Sequence, residues 1–147
     1  MKAILNTDGG ARGNPGPAGI GVVLRTHDGE ILAELGRGIG ATTNNVAEYK
    51  ALITGLEMAL ANGVTEVEVL LDSTLVVNQV TGRWKIKNDR LRSLAVQARS
   101  LMDKFDQATI SYVPRAENQN ADRLANIGMD EAEVAGDDPL PEQTFLE

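Results

Sequence analysis

The chain has 147 residues, 42% of them hydrophobic, which is enough for one domain with a sizeable core. No apolar run approaches the roughly 20 residues that a membrane span needs. The first two residues lead directly into a predicted strand, so we expect no signal peptide. Because the chain has no cysteine, disulfides and thiolate metal sites are excluded, and we expect a cytoplasmic protein.

The net charge of −7 is unevenly distributed along the chain. Seven of the 21 acidic residues lie in residues 130–147, which contain no lysine or arginine, so residues 1–129 hold 14 acids and 14 bases. We therefore predict one domain over residues 1–129 and a disordered acidic tail, whose removal should leave activity intact. Five bases lie within ten residues around Trp84, namely Arg83, Lys85, Lys87, Arg90 and Arg92. The low isoelectric point thus does not exclude a polyanionic partner.

The first third of the chain predicts three antiparallel strands. An apolar run at residues 3–5 leads to Asp8, where a glycine- and proline-rich turn is expected to end the first strand. Two further runs, at residues 19–25 and 30–37, are separated by an Asp-Gly dipeptide, which is typical of hairpins. Short connections between consecutive strands favour a meander.

The remainder alternates helices and strands. In chain order we expect a helix from a cap at residues 42–44 to Asn62, a strand at 66–72, a short helix capped by Ser73, a helix starting at Asn88 or Asp89, a strand at 108–113 and a last helix at about 118–127. Helical connections between strands indicate parallel crossovers. The prediction is an α/β fold with a mixed five-stranded sheet, three strands antiparallel and then two parallel, with helices on both faces.

Four acidic residues occupy unusual positions in this pattern. Asp8 and Asp72 each end a strand, Glu48 lies on the helix stripe expected to face the sheet, and Asp122 lies on the apolar side of the last helix. Two of them also have a simpler explanation, Asp8 as a turn residue and Asp122 as an acid favoured at a helix start. Acids that converge on one crevice could not all stay ionised without cations. Oxygen ligands favour Mg²⁺ or Mn²⁺, and two such ions suit phosphodiester hydrolysis.

Four segments, in this order and spacing, resemble ribonuclease HI over about residues 1–128: TDGGARGNPGPAGIG, TNNVAEYKAL, DSTLVVNQV and AENQNADRLA. The resemblance implies that Asp8, Glu48, Asp72 and Asp122 are catalytic and hold two Mg²⁺ ions, with Mn²⁺ as a substitute. It also implies an endonuclease that cleaves the RNA strand of RNA–DNA hybrids and leaves 5′-phosphate and 3′-hydroxyl ends. We expect it to act as a monomer.

An enzyme specific for such hybrids must read the 2′-hydroxyl of the RNA. A turn rich in glycine can bring the main chain close to a sugar, and asparagine can both donate and accept at a hydroxyl. The asparagines also have an alternative role as turn and cap residues. Asn14, Asn44 and Asn45 are assigned to minor-groove contacts by resemblance, and the full set of residues assigned to substrate contact is Gly9, Gly10, Arg12, Gly13, Asn14, Asn44, Asn45, Thr74, Arg83, Trp84, Lys85 and Lys87.

Two features depart from the best-known members of that family and resemble a shorter branch of it. Residues 81–88 are too short for the basic protrusion that many members carry on an extra helix, and Trp84 either contacts the hybrid or fills the core. Arg115 stands where many members have a loop histidine. Because arginine stays protonated, it would act by phosphate contact or electrostatic support. Asn118 is assigned an auxiliary role beside it.

Three other functions are less consistent with the sequence. A 3′–5′ exonuclease of related fold usually has a second acid two residues after the first, whereas Gly9 and Gly10 follow Asp8. A binding module that has lost catalysis usually lacks one of the acids, and this chain retains all four. A nucleotide-binding domain is disfavoured because residues 36–41 do not form G-x-G-x-x-G and no P-loop lysine motif is present.

Overall fold

The computed structural model describes residues 1–136, which form one sheet with four α-helices around it. The strands are β1 (Lys2–Ala11), β2 (Gly16–Arg25), β3 (Ile31–Thr42), β4 (Glu66–Leu71) and β5 (Gln107–Tyr112). The helices are α1 (Asn44–Ala61), α2 (Thr74–Val80), α3 (Asp89–Met102) and α4 (Gln119–Ala135), with a short 3-10 helix at Arg115–Glu117. The sheet order is β3-β2-β1-β4-β5. The predicted topology is confirmed, since β1, β2 and β3 pair antiparallel whereas β4 and β5 continue the sheet in parallel.

Helices α1 and α4 pack on opposite faces of β2, because successive residues of a strand point to opposite faces. Ile20 shares a buried apolar cluster with Ala47 and Ala51 of α1. Gly19 and Gly21, which alternate with it, lie against the main chain of α4. The prediction of helices on both faces is therefore confirmed.

Glycines allow α4 to approach the sheet with no layer of side chains between them. A Cβ atom on Gly21 would overlap the carbonyl oxygen of Ala121, and one on Gly19 would overlap the main chain one to two turns further along α4. A Cβ atom on Gly36 would stand 2.7 Å from the carbonyl oxygen of Leu124. The position of α4 is thus set by direct contact between backbones.

Side chains cap the first three helices as their sequences predict. Thr43, Ser73 and Asn88 each accept a hydrogen bond from the backbone amide three residues later, at 3.3, 3.2 and 3.0 Å. Among the helices of the described residues, none is long and apolar enough to cross a membrane.

Strand β1 does not end at Asp8, as the sequence suggested, but continues to Ala11. It does so because it stays paired with β2 as far as Ala18. Its pairing with β4 stops earlier, where Thr7 lies opposite Leu71. Asp8 is therefore the first residue of β1 that lies beyond β4. Strand β3 likewise runs past its predicted end.

Helix α4 runs beyond its predicted end and into the predicted acidic tail. Ala132 is buried there, and Asp130 and Glu133 both pair with Arg12 from the turn after β1. The charge pattern alone treats these acids as tail residues, since their partner is more than 100 residues away. The predicted boundary between residues 129 and 130 falls inside α4, and the rest of the predicted tail, residues 137–147, lies outside the described residues.

Candidate active site

Three carboxylates converge where β1 and β4 part. Because Thr7 pairs with Leu71 in parallel strands, the residues that follow them, Asp8 and Asp72, leave this ladder side by side. Glu48 reaches the same place from the first turns of α1. One oxygen atom from each of these three acids lies within 4.8 Å of the other two. The register of two strands and the position of one helix thus create an acidic cluster.

Helix α1 comes close to β1 because Gly9 has no side chain. A Cβ atom on Gly9 would overlap the carbonyl of Ala47. This approach lets the Gly9 amide donate a hydrogen bond to Oε1 of Glu48 at 3.1 Å. Glu48 is only 7% exposed, so the prediction that it faces inward from its helix is confirmed. The bond fixes the direction in which its carboxylate points.

Burial and nearby negative charge raise the pKa of two of these acids, Asp8 and Glu48. Burial raises the pKa of Asp8 to about 9, and the charges of Glu48 and Asp72 add to the effect. A side-chain hydrogen bond to Asp122 contributes in the same direction. Burial and then the charge of Asp72 raise the pKa of Glu48 to about 8, although the bond from the Gly9 amide opposes this. The cluster therefore lacks positive charge, which divalent cations could supply.

The fourth predicted acid, Asp122, approaches the cluster from α4. Its side chain is 30% exposed, and its Oδ1 accepts a hydrogen bond from Nη2 of Arg115 at 3.3 Å. Asp122 lies outside the group of three but lines the same cleft. Arg115, which is mostly exposed, also lines the cleft and holds its positive charge beside this acid.

The cleft has a volume of about 360 Å³ and opens between β1, α1 and α4. The sequence did not single out four of its lining residues, Ala11, Tyr112, Asn126 and Met129. Asn126 lies four residues after Asp122, so helical spacing could have identified it. Its side chain donates a hydrogen bond to the Asp122 carbonyl at 2.9 Å.

Two of the predicted substrate-reading asparagines brace each other at the rim of the cleft. The backbone amide of Asn44 donates to Oδ1 of Asn14 at 2.9 Å, and Oδ1 of Asn44 accepts from the Ala11 amide at 3.4 Å. Both asparagines are nevertheless exposed, and Asn44 lines the cleft together with Gly10. Their side chains thus join the turn after β1 to the start of α1, and Asn44 lies exposed beside the acids of the cleft.

The other predicted contact residues are more dispersed. Gly13 lies in the exposed turn between β1 and β2 with a φ of 102°, which favours glycine. Asn45 is half-buried in the first turn of α1, and Thr74 is exposed at the start of α2. The guanidinium of Arg12 is engaged by α4, at 2.6 Å from Asp130.

The basic segment between α2 and α3 lies outside the cleft. Residues 81–88 form a loop without an extra helix, as predicted from their number. Trp84 is 49% exposed, so the alternative that it fills the core is wrong. Arg83, Lys85 and Lys87 are exposed beside it.

Asn118 does not line the cleft, although the sequence grouped it with Arg115. It is 2% exposed, and its side chain makes two hydrogen bonds with β1. This contact was not apparent from the sequence, because the two segments are more than 100 residues apart.

Known proteins resemble the chain in both sequence and structure. Residues 6–128 match the family described as reverse transcriptase-like. A bifunctional protein of Mycobacterium tuberculosis is 53% identical over 133 residues, which is 90% of this chain and 36% of that protein. The structure of a Mycobacterium tuberculosis N-terminal RNase H domain, solved as a fusion, matches with a TM-score of 0.89 at 51% identity and covers 92% of this chain and 98% of that one.

Two further relatives are also named as ribonucleases H. Ribonuclease HI of Halobacterium salinarum is 50% identical over 125 residues, which is 85% of this chain and 63% of that protein. The crystal structure of LC11-RNase H1 in complex with an RNA/DNA hybrid matches with a TM-score of 0.84 at 43% identity, and covers 89% of this chain and 99% of that one. The chain thus spans less than two thirds of the length of the two curated relatives. The fold is of the ribonuclease H class. The chain belongs to the ribonuclease H family, as its motifs indicated.

Proposed function

We propose that this chain is a divalent-cation-dependent endoribonuclease that hydrolyses the RNA strand of RNA–DNA hybrids, leaving 5′-phosphate and 3′-hydroxyl ends. The observation that carries the proposal is the cluster of Asp8, Glu48 and Asp72, with Asp122 on the facing wall of one cleft. The RNA/DNA hybrid bound by LC11-RNase H1, a relative at 43% identity, supports the choice of substrate.

The donor set fits hard divalent cations. All the candidate ligands are carboxylate oxygens, which suit Mg²⁺ or Mn²⁺, and the raised pKa values of Asp8 and Glu48 reflect a site short of positive charge. We propose two Mg²⁺ ions, with Mn²⁺ as a substitute. Asp8 is central and would serve both, whereas Glu48, Asp72 and Asp122 would complete their ligands. Bound divalent cations supply Lewis-acid stabilisation of the phosphate and activation of water.

The remaining residues of the cleft would orient the RNA strand. Gly9 and Gly10 leave room for a sugar beside β1, and the braced pair of Asn14 and Asn44 offers exposed amide groups to a 2′-hydroxyl. Arg115 would contact a phosphate near Asp122, because its cationic guanidinium is exposed beside that acid.

A second surface would hold the hybrid outside the cleft. The exposed Arg83, Lys85 and Lys87 would contact backbone phosphates, and Trp84 would pack against a sugar or base. Thr74, at the exposed start of α2, would add a further contact. We also propose that the chain acts as a monomer in the cytoplasm. The proposal of a monomer is supported by the four acids, which all come from one chain.

The test is a denaturing gel of one end-labelled RNA, presented as a hybrid, as a single strand and as an RNA duplex, with Mg²⁺, Mn²⁺ or a chelator. Internal cuts confined to the hybrid and lost with chelator are expected. Asp72→Asn should reduce cleavage about 100-fold or more while keeping the fold, since it retains size and removes charge. The matched control is Asp103→Asn, which changes an exposed acid at the end of α3.

Cleavage retained by Asp72→Asn would contradict the assignment of the acids. Mononucleotides released from a 3′ end would indicate an exonuclease instead. A shifted band without cleavage under either metal would indicate a binding module.

A further inference from the structure

Behind the acidic cleft, a line of hydrogen bonds crosses from the end of β2 to the start of α4. Nε of Arg25 donates to Oδ1 of Asn6 at 3.3 Å. Nδ2 of Asn6 donates to Oδ1 of Asn118 at 3.1 Å, and Nδ2 of Asn118 donates to the Thr7 carbonyl at 2.9 Å. Both asparagines are at least nine-tenths buried. We refer to Arg25, Asn6 and Asn118 as the amide relay.

The two ends of the relay fix its direction. Arginine only donates hydrogen bonds, and the carbonyl of Thr7 only accepts them. Asn6 must therefore turn its oxygen towards Arg25, and Asn118 must turn its nitrogen towards Thr7. If either amide were reversed, two donors or two acceptors would face each other in a buried place. The relay therefore has one orientation, in which every bond is made.

The far end of the relay connects the main chains of two acids of the cleft. Thr7 immediately precedes Asp8 in β1. The carbonyl of Asn118 accepts a hydrogen bond at 3.0 Å from the amide of Asp122, in the first turn of α4. A single residue, Asn118, thus joins the backbone next to Asp8 to the backbone of Asp122. Arg25 orients the amide of Asn6, and Asn6 in turn holds the side chain of Asn118 in the rotamer that reaches the Thr7 carbonyl.

We propose that the amide relay sets the separation of Asp8 and Asp122 and thereby the affinity of the cleft for divalent cations. Asn6 and Asn118 are positioning residues, since they do not line the cleft. The inference rests on the proposed function in assigning cations to these acids. Replacing a residue that orients a metal ligand from behind typically lowers metal affinity or activity about 10- to 100-fold.

The test compares Asn6→Leu, Asn118→Ala and the double variant with the wild-type chain. Leucine has the same number and branching of side-chain heavy atoms as asparagine, so Asn6→Leu is expected to fold. The matched control is Asn120→Ala, because Asn120 is exposed and lines the same cavity as the relay, about 310 Å³ in volume. The first readout is Mn²⁺ binding to the protein alone, by calorimetry. The others are the Mg²⁺ concentration for half-maximal cleavage, kcat and KM for the hybrid, and thermal unfolding in chelator.

Each single variant should weaken Mn²⁺ binding about 10-fold. In both, kcat should fall while KM for the hybrid stays close to wild type. The double variant should bind Mn²⁺ no more weakly than Asn118→Ala, because residues that act through one bond do not add. Asn120→Ala should match wild type in every readout.

A lower unfolding temperature with unchanged Mn²⁺ affinity would show that the relay only supports the fold and would overturn the proposal. Additive losses in the double variant would also overturn it. If Asn118→Ala does not fold, Asn6→Leu and Arg25→Met decide by the same readouts. A wild-type chain that binds Mn²⁺ but cleaves no hybrid would refute the proposed function, while Mn²⁺ binding by the variants would still decide the relay. Absence of Mn²⁺ binding to the wild-type chain would refute both.

Discussion

Two acids of the cleft, Asp8 and Glu48, lower the stability of the fold when they are ionised. Asp8 and Glu48 are buried close to another acid, and burial contributes most to the rise in both pKa values. An ordinary core position would hold an apolar residue there instead. In the absence of cations, the protonation of these two residues should therefore govern how stability varies with pH.

We expect the free energy of unfolding in chelator to fall as pH rises from about 4 to about 9. Below about 4, Asp8 and Glu48 are protonated in both the folded and the unfolded chain. Above that, the unfolded chain releases protons that the folded chain retains up to a pKa of about 8 for Glu48 and about 9 for Asp8. Since the folded state binds more protons in this window, stability is lost as pH rises. Urea unfolding at several pH values in chelator measures the effect.

Asp8→Asn is the control for this pH dependence. It removes one of the two titrations, the one with the higher pKa, so the dependence should flatten. In the wild-type chain, added Mg²⁺ should restore stability at high pH, because it binds the ionised acids of the folded state. A free energy of unfolding that stays constant or increases across this range would contradict the prediction.

At the scale of elements, the position of Asp122 depends on how α4 rests on the sheet. The helix touches β2 and β3 at glycines, so its distance from the sheet is the smallest that two backbones allow. Any side chain at these contacts would move the helix, and Asp122 with it.

Gly21→Ala should therefore destabilise the fold by about 3 kcal/mol or prevent folding, since its Cβ atom would overlap the carbonyl of Ala121. Chemical denaturation of the purified variant measures this. Gly10→Ala is the matched control on the adjacent strand, because the nearest atom to its Cβ would be the flexible end of Met129, at 3.2 Å, and no main-chain atom is as close. Equal stability of the two variants would contradict the account of α4 packing.

The elements that the sequence predicted correctly are those with local signals. Ser73 and Asn88 cap helices through bonds three residues away, and the spacing of Glu48 within its own helix predicted its inward direction. The continuation of β1 beyond Asp8 depends on β2, and the partner of Arg12 is 118 residues distant, so no local pattern contained them. The contacts of Asn118 behind the cleft were missed for the same reason.

At the scale of the whole molecule, the acidic end of the chain divides into two parts. Residues 130–135 belong to α4, where two acids pair with Arg12 and one alanine is buried. Removal of residues 130–147 was expected from the sequence to have no effect on activity. The structure now separates the consequences of two different truncations.

A chain ended after Gly136 should match the full chain in both stability and cleavage. A chain ended after Met129 loses the two ion-pair partners of Arg12 and the burial of Ala132, so its free energy of unfolding should fall by about 1–3 kcal/mol. Urea unfolding and hybrid cleavage measure the two effects. In the full chain, the double variant Asp130→Asn/Glu133→Gln isolates the share due to the ion pairs. Two truncated chains of equal stability would contradict the prediction.

The glycine contacts beneath α4 have a geometric consequence for the whole protein. Two of them lie along β2 and the third lies on β3, so they form a triangle rather than a line. Three contacts that do not lie on one line oppose tilting of the helix in every direction. The atoms in contact belong to the main chain, which has no side-chain rotamers. Thermal motion of side chains elsewhere in the core can therefore leave the tilt of α4, and with it the mouth of the cleft, unchanged.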